Sequence, residues 1–123
     1  MKSLIFIFLA SFLVINCAEV QEGNTITTLE LKELLFKDNI QLIDVRTQRE
    51  VKQGVIETAL FIDFFDKDFL IKVNSKLNKK TAVYLYCRSG NRSGKATKIL
   101  LENGFEVYNV LGGYTKWEKE NNK

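Results

Sequence analysis

The 123-residue sequence contains no histidine, no proline and only two cysteines. Without histidine, the chain cannot supply the Cys/His ligand set of a zinc site, and a nucleophilic thiol would lack its usual imidazole partner. We therefore predict no metal and no cofactor. A reactive cysteine in this chain would depend on backbone dipoles and cations to lower its pKa. Without proline, the turns depend on Gly, Asn and Asp.

The excess of one sign of charge is also small. The chain carries 18 Lys and Arg against 15 Asp and Glu, a net charge of +3, and the two signs are interspersed. Such a pattern lacks the basic stripe of a nucleic-acid surface, so we predict no nucleic-acid partner. Hydrophobic residues make up 46% of the chain, which suffices for the core of one domain at this length.

The N-terminus differs from the rest of the chain. Lys2 precedes a twelve-residue apolar core over residues 4–15, which is too short to span a bilayer comfortably. A basic start followed by a short apolar run is typical of a secretory signal. We predict a signal peptide over residues 1–16, a tether over 17–23 and one domain over 24–123.

Cys17 lies where cleavage of that signal is expected. Val14-Ile15-Asn16-Cys17 resembles a bacterial lipobox, although Asn16 replaces the usual small residue. Cleavage there would leave Cys17 as a lipidated N-terminus; ordinary secretion with cleavage after Ala18 and an uncleaved anchor are the alternatives. We predict a periplasmic or membrane-anchored lipoprotein of a bacterial envelope, which meets the membrane only through its lipid.

Cys87 is then left without an intramolecular partner. An unpaired thiol in an oxidising compartment indicates a functional cysteine. The alternative is a cysteine that is buried and inert. The polar and cationic residues that follow Cys87 predict that it is not enclosed on both sides.

Apolar runs alternate with helical patterns along the domain. The predicted strands cover residues 26–28, 40–45, 59–62, 81–86 and 105–110, and the predicted helices cover 29–37 with Thr28 as its cap, 47–53, 66–77, 93–103 and a terminal segment from Gly112-Gly113. This alternation predicts an α/β fold with a largely parallel sheet and helices on both faces. Ligands of such sheets bind at the carboxyl ends of the strands, where Cys87 lies.

The loop after Cys87 has the composition of an anion site. It consists of Arg88, Ser89, Gly90, Asn91 and Arg92. If these residues form a tight arc, their N–H groups converge, and the helix that follows adds the positive end of its dipole. The two arginines add charge that can bind an oxyanion. We expect a lowered pKa at Cys87, which makes it the candidate nucleophile.

Four segments of the chain resemble the rhodanese-like domain family. The stretch Cys87-Arg-Ser-Gly-Asn-Arg-Ser93 resembles its active-site loop. Residues 42–50 resemble its (L/I)-I-D-V-R-x-x-x-E segment, residues 54–59 its G-H-I-x-G-A, and residues 110–117 its L-x-G-G-x-x-x-W ending. All four stand in the family's order within residues 24–120.

The resemblance implies a central, mainly parallel five-stranded sheet and a sulfur-transfer activity. By analogy, Cys87 takes the sulfane sulfur of thiosulfate or a related donor as a persulfide. A thiophilic acceptor then removes it: cyanide or a thiol, including a protein thiol. The loop Arg88–Arg92 would hold the persulfide, while Asp44 and Arg46 would give structural support. Trp117 is interpreted as core packing.

The chain departs from the family pattern at three positions. Val55 replaces the usual His, Thr58 the usual Gly, and Phe61 the frequent Asn. These positions support the fold more than the chemistry, so Cys87 remains the candidate nucleophile.

Three other functions compete. Cysteine phosphatases and arsenate reductases use Cys-x5-Arg, but here Ser93 occupies the arginine position and Arg92 comes one residue early. That shorter loop suits sulfur better than a phosphoryl group. A non-catalytic binding module is the second alternative. A redox thiol is the third, although no resolving cysteine lies near Cys87.

Overall fold

The computed structural model describes residues 24–122. Strands and helices alternate along the chain: β1 Asn24–Ile26, α1 Thr28–Lys37, β2 Gln41–Asp44, α2 Gln48–Val51, β3 Leu60–Phe61, α3 Phe69–Lys76, β4 Val83–Tyr86, α4 Asn91–Glu102, β5 Val107–Val110 and α5 Gly113–Asn121. The predicted signal peptide, the tether and Cys17 lie outside the described residues. Between residues 24 and 122, no helix has the length and apolar character needed to cross a membrane.

The five strands form a single sheet in the order β1-β5-β4-β2-β3. Every neighbouring pair is parallel, which confirms the predicted α/β class. Because β4 lies in the centre, Cys87 follows the central strand at the edge where the carboxyl ends of all strands meet. This is the edge at which parallel sheets bind their ligands.

The two faces of the sheet bury separate apolar clusters. Side chains alternate along β4, so Val83, Leu85 and Cys87 point to one face, while Tyr84 and Tyr86 point to the other. The first face packs against α3 and α4, and the second against α1 and α5. Trp117 of α5 packs on the second cluster, which agrees with its interpretation as a core residue.

The start of α1 corrects the predicted cap. Thr27, and not Thr28, accepts the N–H of Glu30, and Glu30 in turn accepts the N–H of Thr27. This reciprocal capping box is possible because Thr27 keeps an extended backbone. Thr28 is the first helical residue, and its buried hydroxyl donates to Glu120 of α5 across 2.6 Å.

Helix α3 begins at Phe69, later than the predicted start at residue 66. The carboxylate of Asp63 accepts the N–H of Phe65, and that of Asp66 accepts the N–H of Asp68. Aspartate side chains bound to the backbone two residues ahead stabilise turns in place of a helix. The residues before Phe69 therefore form turns.

Candidate active site

The loop that carries the candidate nucleophile joins β4 to α4. Gly90 caps α4 with a left-handed backbone, at a φ of 110°. Only glycine adopts such an angle without strain. Helix α4 therefore begins at Asn91, two residues before its predicted start, and Arg92 and Ser93 belong to its first turn.

The sulfur of Cys87 accepts two hydrogen bonds from this loop. The N–H of Gly90 donates to Sγ across 3.1 Å, and the hydroxyl of Ser93 donates to Sγ across 3.3 Å. Burial raises the pKa of Cys87, but the hydrogen bonds from Ser93, Gly90 and Ser89 outweigh it, and the pKa lies below its ordinary value. Dipoles from the loop thus favour the thiolate.

Cys87 is more enclosed than its polar neighbours suggest. Only 1% of its surface is exposed, and it belongs to the cluster under α4. The expectation of an open thiol is wrong because alternation along β4 turns Cys87 toward α4, whose first turn then covers the sulfur. Arg88, Ser89 and Asn91 are exposed instead.

Arg92 does not bind at the sulfur. Its guanidinium donates from Nη1 to Oε1 of Glu50 across 2.6 Å and from Nη2 to Oε2 across 2.8 Å. This fork lowers the pKa of Glu50 to about 2. Glu50 has no active-site role that its sequence motif predicts. The spacing Thr47-x-x-Glu50 indicates the capping box that starts α2, but nothing in it indicates the pairing with Arg92.

A cavity of about 190 Å³ borders the loop on the side of α2 and α5. Its lining includes Arg46, Glu50, Arg88, Tyr114 and Glu118. The exposed side chain of Arg88 makes no hydrogen bond or ion pair with any of the residues that the structure describes. A cation is therefore available at this rim.

Helix α5 supports the loop from a second side. The N–H of Tyr114 donates to the carbonyl of Cys87 across 2.8 Å, and the N–H of Thr115 donates to that of Arg88 across 3.0 Å. A Cβ on Gly113 would lie 2.4 Å from the Cys87 carbonyl oxygen. Because Gly113 carries no side chain, the start of α5 can approach these two carbonyls closely enough to donate hydrogen bonds to them. This close approach explains the second glycine of the Gly112-Gly113 motif.

Asp44 and Arg46 form a buried ion pair at the end of β2, with 2.7 Å between Nη2 and Oδ2. Arg46 also donates to the carbonyl of Gly54 across 2.7 Å, and its guanidinium lies 4.2 Å from the ring centre of Tyr114. The pair thus joins β2 to the loop after α2 and to α5. Such contacts fit the predicted structural support, which stays a prediction.

Asn109 of β5 is a residue that sequence analysis missed. Its Nδ2 donates to the carbonyl of Gly90 across 3.3 Å, and its Oδ1 is buried without a partner among the residues described. A polar residue inside an apolar strand was the available sequence signal. In the described part of the chain, no group of side chains has the composition of a metal site.

The model of the rhodanese-like domain matches residues 27–120. The chain belongs to the rhodanese-like domain family. The four motifs that resemble the family lie within these residues.

Individual relatives agree with this family. The chain is 40% identical over 100 residues to the putative sulfurtransferase YtwF of Bacillus subtilis, covering 80% of this chain and 94% of that protein. It is 32% identical over 114 residues to thiosulfate sulfurtransferase 18 of Arabidopsis thaliana, covering 83% of each. A rhodanese-like domain protein from Staphylococcus aureus superposes with a TM-score of 0.70 at 37% identity, covering 76% of this chain and 90% of that structure.

One departure from the rhodanese-like pattern has a clear structural cost. Thr58, where the family usually has Gly, has a φ of 71°, and no other non-glycine residue between 24 and 122 has a positive φ. A β-branched residue is strained in this region. The cost falls on the loop before β3.

Proposed function

We propose that this rhodanese-like domain is a sulfurtransferase that carries a sulfane sulfur as a persulfide on Cys87. The observation that carries the proposal is the Cys87 sulfur at the start of α4, which accepts hydrogen bonds from Gly90 and Ser93. The sulfurtransferase names of two relatives support it. The donor in this proposal is thiosulfate or a related small anion, and the acceptor is cyanide or a thiol, including a protein thiol.

The chemistry requires no added oxidant or reductant. The Cys87 thiolate attacks the outer sulfur of thiosulfate, the bond between the two donor sulfurs breaks, and its electron pair leaves with sulfite. The persulfide's outer sulfur then carries the negative charge, for which the loop N–H groups are suitable donors. An acceptor thiolate attacks that outer sulfur and releases Cys87 as a thiolate. Cyanide in the same role leaves as thiocyanate.

The enclosure of the sulfur favours small donors. With 1% of Cys87 exposed, a donor with a terminal sulfur reaches Sγ more easily than a bulky one. The same enclosure favours the alternative of a non-catalytic binding module, in which Cys87 would only fill the core. A phosphatase is favoured less, because Arg92 is bound to Glu50 and Ser93 occupies the position of the phosphate-binding arginine.

Mass spectrometry of the purified protein tests the proposal. After incubation with thiosulfate and removal of excess donor, the wild type should gain the mass of one sulfur atom, and Cys87→Ser should not. Thiocyanate formation from thiosulfate and cyanide should likewise require Cys87. Equal activity of the wild type and Cys87→Ser would refute the sulfurtransferase. Release of phosphate from an aryl phosphate that depends on Cys87 would favour the phosphatase instead.

A further inference from the structure

The pair formed by Arg92 and Glu50 connects the first turn of α4 to the first turn of α2. Its two hydrogen bonds, of 2.6 and 2.8 Å, run in parallel from one guanidinium to one carboxylate. Only 19% of the Arg92 side chain and 24% of the Glu50 side chain are exposed. A bidentate pair that is largely shielded from water holds its geometry better than an open surface pair.

This pairing changes the charge that an incoming anion meets. Arg92 follows Gly90 and precedes Ser93, the two residues that donate to the Cys87 sulfur. Its positive charge is offset by Glu50, so the pair as a whole is neutral beside the thiol. Among the described residues of the loop, Arg88 is the cation left without an acidic partner.

Glu50 is also held in place from its own helix. Its Oε1 accepts the hydroxyl of Thr47 across 3.1 Å, as part of the capping box of α2. The carboxylate is therefore positioned before a donor binds, and it keeps Arg92 turned toward α2. No hydrogen bond joins Glu50 to the sulfur of Cys87 within residues 24–122, so Glu50 acts at the thiol by its charge, which offsets that of Arg92.

We propose that Glu50 determines donor preference by neutralising Arg92, so that the Cys87 loop discriminates only weakly in favour of donors with a double negative charge. The donor preference rests on the proposed sulfurtransferase function. The electrostatic potential that Glu50 sets at Cys87 does not depend on that function. Glu50 is thus a specificity-determining residue that acts by its charge beside Arg92.

Alkylation of Cys87 by two reagents measures that potential without any sulfur transfer. Iodoacetate carries one negative charge and iodoacetamide carries none, while both react with the thiolate at the same carbon. In Glu50→Gln, which preserves the shape of the side chain, the rate ratio of iodoacetate to iodoacetamide should rise about two- to fivefold, the range of a single partly exposed charge. Glu102→Gln, the same change at the exposed far end of α4, should leave the ratio at its wild-type value.

The reciprocal variant completes a double-mutant cycle. Arg92→Gln should lower the ratio about two- to fivefold, because the charge of Glu50 is then unopposed. The combination of Glu50→Gln with Arg92→Gln should return it close to the wild-type ratio. If Glu50→Gln fails to fold by circular dichroism, Arg92→Gln decides alone: the proposal requires a lower ratio.

The donor preference is tested with thiosulfate, a dianion, against methanethiosulfonate, a monoanion with the same type of transferable sulfur. In Glu50→Gln, the quotient of kcat/KM for thiosulfate over methanethiosulfonate should rise about two- to fivefold. An unchanged alkylation ratio and donor quotient in a folded Glu50→Gln would overturn the proposal, as would an equal change in Glu102→Gln. If neither donor shows transfer that depends on Cys87, the proposed function fails, and the alkylation ratios still decide the role of Glu50.

Discussion

The hydroxyl of Ser93 lies 3.3 Å from the sulfur of Cys87 and donates a hydrogen bond to it. Both residues are buried, so water does not compete for this contact. Ser93 stands in the first turn of α4, where its side chain and the N–H groups of the loop act on the same atom. This contact favours the thiolate in a site without histidine.

Ser93→Ala should therefore shift the reactivity of Cys87 to higher pH. The folded protein holds the pKa of Cys87 below its ordinary value. The reactivity of the thiol should therefore level off at a lower pH than that of a free cysteine, whose pKa is about 8.5. Removing one hydrogen bond to the charged form should slow iodoacetamide alkylation at pH 7 by about tenfold. The rate should recover at alkaline pH, which general damage to the site would not allow. Ser75→Ala, at an exposed position of α3, is the control and should match the wild type.

Gly113→Ala should disrupt the support of the active-site loop. The added Cβ would lie 2.4 Å from the Cys87 carbonyl oxygen and 2.7 Å from that of Arg88, at a backbone φ of 55°. We expect a loss of at least about 2 kcal/mol in the free energy of unfolding, measured with urea, together with loss of sulfur transfer. Gly94→Ala, within α4, serves as the comparison, because its Cβ would meet only Nδ2 of Asn109, at an ordinary contact distance of 3.6 Å. Equal stability of the Gly113→Ala protein and the wild type would contradict the role assigned to this glycine.

Thr58→Gly should stabilise the protein. Thr58 has a φ of 71°, and relief of this strain should raise the free energy of unfolding by about 0.5–1 kcal/mol after the greater freedom of glycine in the unfolded chain is subtracted. For a domain of this size, Tm should rise by about 2–6 °C. Glu57→Gly, one residue earlier and without a positive φ, should lower Tm. If both variants shift Tm in the same direction, the strain at Thr58 is not the cause.

Glu50→Gln should flatten the loss of stability in acid. The pKa of Glu50 falls from 4.5 to about 2 in the folded protein because Arg92 binds the charged form. A lowered folded pKa stabilises the protein above pH 4.5, and this contribution is lost as pH falls from 4.5 toward 2. Urea unfolding at several pH values should show that the free energy of unfolding falls by about 1–3 kcal/mol less in Glu50→Gln than in the wild type over this pH range. Glu57→Gln should decline like the wild type.

We propose that the protein is exported and that Cys17 carries a lipid. In cells of a bacterial host supplied with labelled palmitate, the wild type should take up label, and Cys17→Ala should not. This expectation rests on the sequence: residues 14–17 resemble a lipobox at the end of a short apolar run. Label that persists in Cys17→Ala would show that Cys17 is not the lipid site, and Cys87→Ala controls for modification of the other thiol.

Local patterns in the sequence were enough to predict the order of strands and helices. Apolar runs separated by helical spacing identify each element, because burial on both faces of a parallel sheet requires such runs. The boundaries were less predictable at residues 66–68. There, the bonds from Asp63 and Asp66 to the backbone stabilise turns where periodicity alone predicted helix.

The sequence by itself determined the family, the parallel α/β fold and the place of Cys87 at the end of the central strand, because these depend on local motifs and alternation. Only the tertiary structure decided what surrounds the sulfur. Glu50 and Arg92 are 42 residues apart in the chain, and the start of α5 reaches the carbonyl of Cys87 from another part of the sheet edge. Such contacts arise where parallel strands bring distant loops to one edge. Their partners cannot be identified from local spacing, although each residue stands within a recognisable motif.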